Sequence, residues 1–235
     1  MSATARRARL YVEVPEIMVG FDTETTGLSS RSDRAVSYGF VVYESGTVTR
    51  EEHFFVDPEI PISAGAQRVH GLSYDTLREW REDGRALGFA AGVNRAVSLL
   101  ASEISRGAVV VGANVALFDL AMLSSNYQWV HQCSLSREID LRRVEVIDVV
   151  NHDVAIEPRE MASRRRGLPY LCQHYGVTPG GHDALGDARA AVEVFLAQVR
   201  RNRQSLLAPR LASDPDDPVE EARRWLQARK RKVVG

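Results

Sequence analysis

The chain is poor in cysteine, in lysine and in long apolar runs. Cys133 and Cys172 are its only cysteines, and neither sits in a Cys-x-x-Cys pair. A thiolate zinc site and a disulfide framework are therefore not what organises it. Reduced thiols in a cytoplasmic setting are the simplest reading. No apolar run is long enough to span a bilayer. Arg6, Arg7 and Arg9 are not followed by the apolar stretch that a signal peptide requires. No membrane association is expected. Lys230 and Lys232 are the only lysines, and arginine supplies the remaining basic side chains. Arginine offers bidentate phosphate contact, but a GC-rich coding bias produces the same enrichment. The net charge is −1, from 30 basic and 31 acidic residues, so no global positive field advertises nucleic-acid binding. Internal repeats and low-complexity segments are absent.

What is present suits one domain of moderate size with a tail: 235 residues, 44% of them hydrophobic. Residues 17–22, 36–43 and 47–56 read as strands, the last two joined at Ser45-Gly46 as a hairpin. Residues 92–106 read as a helix, 108–112 as a strand, 116–130 as a helix and 144–148 as a strand. Helices are expected again at 168–175 and 184–200. Residues 74–95 are charged, with Arg78, Glu79, Arg81, Glu82, Asp83 and Arg85, and read as an exposed helix or excursion. Early antiparallel strands followed by strand–helix alternation imply an α/β fold, a mixed sheet with helices on its faces. Trp80 and Trp129 read as packing residues rather than base-stacking platforms.

The most informative stretch is Phe21-Asp22-Thr23-Glu24-Thr25-Thr26-Gly27-Leu28, directly after the apolar Ile17-Met18-Val19-Gly20. Side chains two apart on a strand share a face, so Asp22 and Glu24 point the same way. Carboxylates held that close repel unless a proton or cation lies between them. A divalent hard cation with oxygen ligands fits. A second cluster follows the β-branched run Val109-Val110-Val111, where Ala113-Asn114 leads into a helix with Asp119 in its first turns. The third is His182-Asp183-Ala184-Leu185-Gly186-Asp187. It opens a helix whose core stripe is Leu185, Ala188, Val192, Leu196 and Val199. Asp187 lies beside that stripe and so faces the protein.

In this order the segments resemble the DEDDh (DnaQ-like) 3′→5′ exonuclease superfamily, which includes the proofreading subunits of replicative polymerases. Asp22 and Glu24 match its first motif, Asp119 its second, and His182 with Asp187 its third. Val69-His70-Gly71-Leu72 falls where the family often has His-Gly-Ile, and Val146-Ile147-Asp148 resembles its fifth strand. Two departures stand out. Ala113-Asn114 replaces the frequent His-Asn, and Gly65 replaces a glutamate five residues before His70.

The resemblance implies a ribonuclease H-like fold, a mixed central sheet of about five strands flanked by helices, over residues 15–203. Residues 1–14 would be an N-terminal extension and 204–235 a linker with a charged C-terminal helix or tail. It implies two Mg²⁺ or Mn²⁺ ions: Asp22, Glu24 and Asp187 hold one, and Asp22 with Asp119 the other. Two such ions about 3.5–4 Å apart serve both the attacking and the leaving oxygen of a phosphodiester. His182 would be the general base, histidine being the side-chain type suited to proton transfer near neutral pH. Thr25, Thr26, His70 and Asn114 would contact substrate. Independently of the resemblance, Arg164-Arg165-Arg166 is the best local candidate for phosphate-backbone contact, against the reading of a solvated loop. The implied substrate is nucleic acid with a free 3′ end, DNA in proofreading or repair. RNA trimming or oligonucleotide decay keeps the chemistry and stays open. A non-catalytic binding or polymerase-docking module is the alternative of another class. A DNA polymerase or sliding clamp is the partner to test for residues 204–235, where Gln204-Ser205-Leu206-Leu207 faintly resembles a clamp peptide.

Overall fold

The computed structural model describes residues 13–140, 142–156 and 166–211, with side chains as far as 202 in the last helix. Its frame is a six-stranded sheet in the order β4-β3-β2-β1-β5-β6. Strand β1 (Ile17–Thr25) lies near the middle, antiparallel to β2 (Ala35–Glu44) and parallel to β5 (Val109–Gly112). Strand β3 (Thr47–Asp57) continues the hairpin from β2. The short β4 (Ala86–Gly88) and β6 (Val146–Asp148) pair in parallel at the two edges. Parallel neighbours need crossovers, and the helices supply them: α1 (Ala64–His70) and α2 (Tyr74–Glu82) before β4, α3 (Phe89–Ser105) before β5, and α4 (Asp119–His131) before β6. Then come α5 (Val149–Ile156), α6 (Leu168–Tyr175) and α7 (Ala184–Leu211).

The period-two alternation of β1 sorts the core into two layers. Val19 and Phe21 join Tyr38, Phe40, Phe54 and Val56 beneath α3 and α4. Met18 joins Val41, Val109, Val111 and Ile147 beneath Ala188, Val192 and Phe195 of α7. The even-numbered positions of β1 therefore face α7, and among them are Asp22 and Glu24. Two glycines let α7 come down onto the sheet. A Cβ at Gly39 would lie 2.2 Å from the Ala184 carbonyl, and one at Gly20 would lie 2.6 Å from that of Ala188. The first turn of α7 thus crosses β2 and β1 beside Asp22, which pairs with Gly39.

The sheet has six strands where about five were expected. The extra one, β4, is three residues long, too short to show a period. It lies inside the charged 74–95 segment, whose first part is the helix α2. The α1 helix buries none of its residues and so has no apolar stripe to betray it. The α7 helix runs on past the domain boundary drawn at 203. Residues 1–12, 141, 157–165 and 212–235, which hold most of the expected charged C-terminal helix or tail as well as Arg164-Arg165, lie outside the described residues. Among the described residues no helix is long and apolar enough to cross a membrane.

Candidate active site

At the C-terminal end of β1 three segments distant in sequence bring their acids together. Asp22 and Glu24 come from the strand, Asp119 from the first residue of α4, and Asp187 from the first turn of α7. Asp119 is 2% exposed. One of its oxygens accepts from the Thr23 amide at 3.0 Å and from the Thr23 hydroxyl at 2.7 Å. The residue between the two strand acids therefore fixes the third acid. Donor atoms of Glu24, His182 and Asp187 all lie within 4.8 Å of one another.

The electrostatics express this crowding. Burial pushes Asp22 well above the ordinary carboxyl range, and the charges of Asp119, Asp187 and Glu24 push it further. Glu24 is pushed up to about 8 by burial and then by Asp187 and Asp119. Asp119 is raised to about 7, mainly by burial, against the opposing hydrogen bonds from Thr23. Burial also raises Asp187, while the charge of His182 and main-chain hydrogen bonds from His182 and Gly180 pull it back. Acids that hold protons near neutral pH are a place where a divalent ion replaces those protons at a gain. The four carboxylates supply oxygen donors that suit Mg²⁺ or Mn²⁺, with His182 beside Glu24 and Asp187, so the residues present fit the ions that the resemblance implies.

His182 is exposed at the mouth of α7 with φ +60°, directly after Gly181 at +78°. A left-handed conformation costs a side-chain-bearing residue roughly 1–2 kcal/mol, and such strain gathers at functional sites. The loop beneath is packed without slack, since a Cβ at Gly180 would lie 2.2 Å from the Asp187 amide. His70 is spent differently. Its Nε2 lies 3.2 Å from the Thr25 carbonyl, and its Nδ1 accepts from the Leu72 amide at 3.1 Å. Nε2–H must then donate, and neither nitrogen is left to take a proton. Burial lowers its pKa against the hydrogen bond to the Thr25 carbonyl, which raises it, and a charge on His182 adds to the lowering.

Thr25 and Thr26, expected to contact substrate, are buried. The Thr25 hydroxyl donates to the Gly27 carbonyl at 2.7 Å, and that of Thr26 to Asp33 at 2.9 Å. Both hydroxyls are engaged inside the loop. Their carbonyls hold α1 by its two ends, Thr26 accepting from the Ser63 amide at 2.9 Å and Thr25 from His70. Asn114 is exposed with φ +58°, and its amide donates to Asp148 at 3.2 Å. Arg166, read as a backbone-contact candidate, is not available for that. Its side chain is 6% exposed and lies 3.3 Å from the buried Asp153.

Several contributors escaped sequence reasoning. Asp183 bonds the Gly186 amide at 2.8 Å at the start of α7 and adds its charge to Asp22, Glu24 and Asp187. Asp148 caps α5 through the Val150 amide at 3.0 Å and raises Asp119. Asp33 holds the Thr26–Ser29 loop, and the buried Asn126 bonds the main chain of Asp33 and Ala35. Leu28 and Leu117 are exposed apolar side chains, at 90% and 79%, on the two loops that flank the acids. The Asp183-x-x-Gly186 cap pattern was the one signal in reach; the other contacts join residues far apart in sequence.

Known proteins share this frame. The DNA polymerase III subunit epsilon of Rickettsia prowazekii is 27% identical over 202 residues, which cover 83% of this chain and 78% of that one. The PolC-type DNA polymerase III of Latilactobacillus sakei is 27% identical over 171 residues, covering 72% of this chain and 10% of that one. Among solved structures, E. coli exonuclease I in complex with a dT13 oligonucleotide superposes with a TM-score of 0.64 at 20% identity, over 83% of this chain. The chain spans only 43% of that enzyme's length, and a likeness at this identity concerns the ribonuclease H-like fold. The exonuclease (RNase T) family model matches residues 19–195, from the second half of β1's apolar run to beyond Asp187, and the chain belongs to that family.

Proposed function

We propose that the chain is a metal-dependent 3′→5′ exonuclease that hydrolyses DNA from a free 3′-OH and releases 5′-mononucleotides. One observation carries this reading. Donor atoms of Glu24, His182 and Asp187 lie within 4.8 Å of one another, and the charges of Asp119 and Asp187 act on both Asp22 and Glu24, so acids from three separate segments meet at one end of the sheet. Asp22, Glu24, Asp119 and Asp187 would hold two divalent ions, whose four positive charges cancel the four carboxylates. When bound, such ions supply Lewis-acid activation of the attacking water and stabilise the departing 3′ oxygen.

The chain's own residues do the rest. Thr23 keeps Asp119 aimed inward through two hydrogen bonds to one oxygen. His182, on its strained loop beside Asp187, takes the proton from the attacking water. His70 and Ser63 hold α1 against the Thr25–Thr26 loop. The resulting wall of loop and helix follows directly on Glu24 in the chain. The exposed Leu28 and Leu117 offer apolar surface to the terminal base and sugar. Thr25 and Thr26 shape that wall, and Asn114 is free to reach the substrate.

The names of the epsilon relatives favour a role beside a replicative polymerase; a cytoplasmic setting and residues 204–235 as a docking tail complete the proposal. A comparison of single-stranded DNA, paired duplex, mismatched duplex and RNA with Mg²⁺ tests the reading. Mononucleotide release from DNA ends, faster at mismatched than at paired termini, is expected. Preferential release from RNA would move the substrate to the oligoribonucleotide alternative, and no release from any of the four would leave a binding module.

A further inference from the structure

Beyond the acids, the same face of the sheet carries a second feature. Register pairs Asp22 with Gly39 and Gly39 with His53; Glu24 pairs with Ser37 and Ser37 with Phe55. Laterally paired residues share a face, so His53 and Phe55 stand on the carboxylate side, two strands or about 10 Å away. A cavity of about 490 Å³ opens around the edge of β3, lined on this side by His53, Phe55, Trp80, Arg85 and Leu87 and on the other by Phe54 and Arg95. Trp80 of α2 meets Phe55 edge-on, ring centres 4.9 Å apart, and the Arg85 guanidinium lies 5.0 Å over the Trp80 ring. His53 joins this groove to the mouth of α7. Its ring is 4.7 Å from Phe55, and its Nε2 is 3.4 Å from Ser37 Oγ and 3.7 Å from Asp183.

We propose that this groove is a stacking subsite for a base of the single strand upstream of the bond that is cut, an inference that rests on the exonuclease reading above. Half-buried rings with an arginine plane over one of them suit nucleobases, whose π-faces stack on aromatic side chains whatever their sequence. The near rim of the groove, at His53 and Phe55, is about three steps of a stacked strand from the acids at ~3.4 Å per nucleotide, and Trp80 lies one ring contact beyond Phe55. Arg85 is already bound through both its Nε and Nη2 to Asp83. It therefore offers a flat face and little free charge; Arg95, at the other side of the cavity, is likewise paired with Glu52 at 2.8 Å, so the subsite adds little to the salt dependence of binding. The charged 74–95 segment thereby gains a purpose: α2 and the turn into β4 carry Trp80 and Arg85 to the path of the strand. The α2 helix does not depend on Trp80 for its anchorage. Leu77 is fully buried, and Arg81 bonds Asp57 at 3.1 Å and Glu59 at 2.8 Å.

The test compares wild type, Trp80→Ala and Trp80→Phe on a thymidine dodecamer, a thymidine dinucleotide and the p-nitrophenyl ester of thymidine 5′-phosphate. Trp80→Ala should raise KM and Kd for the dodecamer by about 5- to 100-fold, the loss expected for one base–aromatic stack. It should leave kcat and KM for the ester within about twofold, and Trp80→Phe should keep most of the dodecamer affinity. An equal loss on all three substrates, or an unchanged dodecamer Kd, would overturn the proposal. The second result would leave the groove to a peptide strand adding to the edge of β3. Failure of the exonuclease reading looks different: wild type would turn over neither oligonucleotide nor ester, whether or not dodecamer binding depends on Trp80.

Discussion

Replacing Glu24 with glutamine removes one charge from the crowded acids while keeping the side chain's shape. Burial, then Asp187 and Asp119, push its carboxyl from 4.5 to about 8, whereas in the unfolded chain it titrates near 4.3. The folded protein therefore holds this proton more tightly than the unfolded one. The contribution to stability is complete below about pH 4 and is lost as pH rises through about 8. At 1.36 kcal/mol per tenfold step, ionising Glu24 in place costs at most ~5 kcal/mol. Solvent reaches the half-buried side chain, and a proton on any one acid relieves the others, so the gain on substitution falls to ~1–2 kcal/mol. For a chain of this size that is about 2–8 °C in Tm. Thermal unfolding in EDTA from pH 4.5 to 9 checks it. The advantage of Glu24→Gln should be near zero at pH 4.5, grow with pH and level off above about 8. Mn²⁺ should stabilise wild type more than the variant, whose turnover should fall by orders of magnitude. A variant less stable than wild type in EDTA at pH 8.5, or a difference that ignores pH, would refute the reasoning.

His182→Ala should bind Mn²⁺ and oligonucleotide almost as wild type does, with kcat greatly reduced and partly restored at alkaline pH, where hydroxide needs no base. His70→Ala should raise KM more than it lowers kcat, because the ring's two nitrogens bond Thr25 and Leu72; steady-state kinetics in which the two roles were exchanged would show that the wrong histidine is the base. Asp33→Ala releases the Thr26 hydroxyl and the Ser29 amide, so at ~1 kcal/mol per hydrogen bond Tm should drop by several degrees and KM should rise. Gly39→Ala puts a methyl 2.2 Å from the Ala184 carbonyl; lifting α7 should cost ~1–3 kcal/mol in denaturant unfolding and lower kcat, since α7 carries Asp187.

The residues that chemistry singles out were legible in the sequence. Asp22, Glu24, Asp119, His182 and Asp187, singled out by residue type, come from three segments that the fold brings to one end of β1. Their apolar frames, Ile17–Phe21 and Val109–Val111, placed two of the segments at strand ends. The even positions of β1 do face one side, as the strand period demands. What the sequence withheld depends on contacts between distant residues. Thr25 and Thr26 looked like substrate contacts because they follow Glu24, yet Gly27 and Asp33 take their hydroxyls. Arg166 looked like a free cation in an arginine run, yet Asp153 lies against it. The β4 strand, with three residues, and α1, with no buried face, carry no periodic signal.

The central claim is that the converged carboxylates cut a nucleic acid chain inward from its 3′ end. A 5′-labelled single-stranded DNA incubated with Mg²⁺ and either wild type or Asp119→Ala tests it most directly. The account predicts a ladder that shortens one nucleotide at a time from the 3′ end with wild type. With Asp119→Ala the strand should stay intact, and a 3′-phosphate should block the wild type. Cleavage of a closed circular strand, or a ladder that persists when Asp119 is gone, would contradict it.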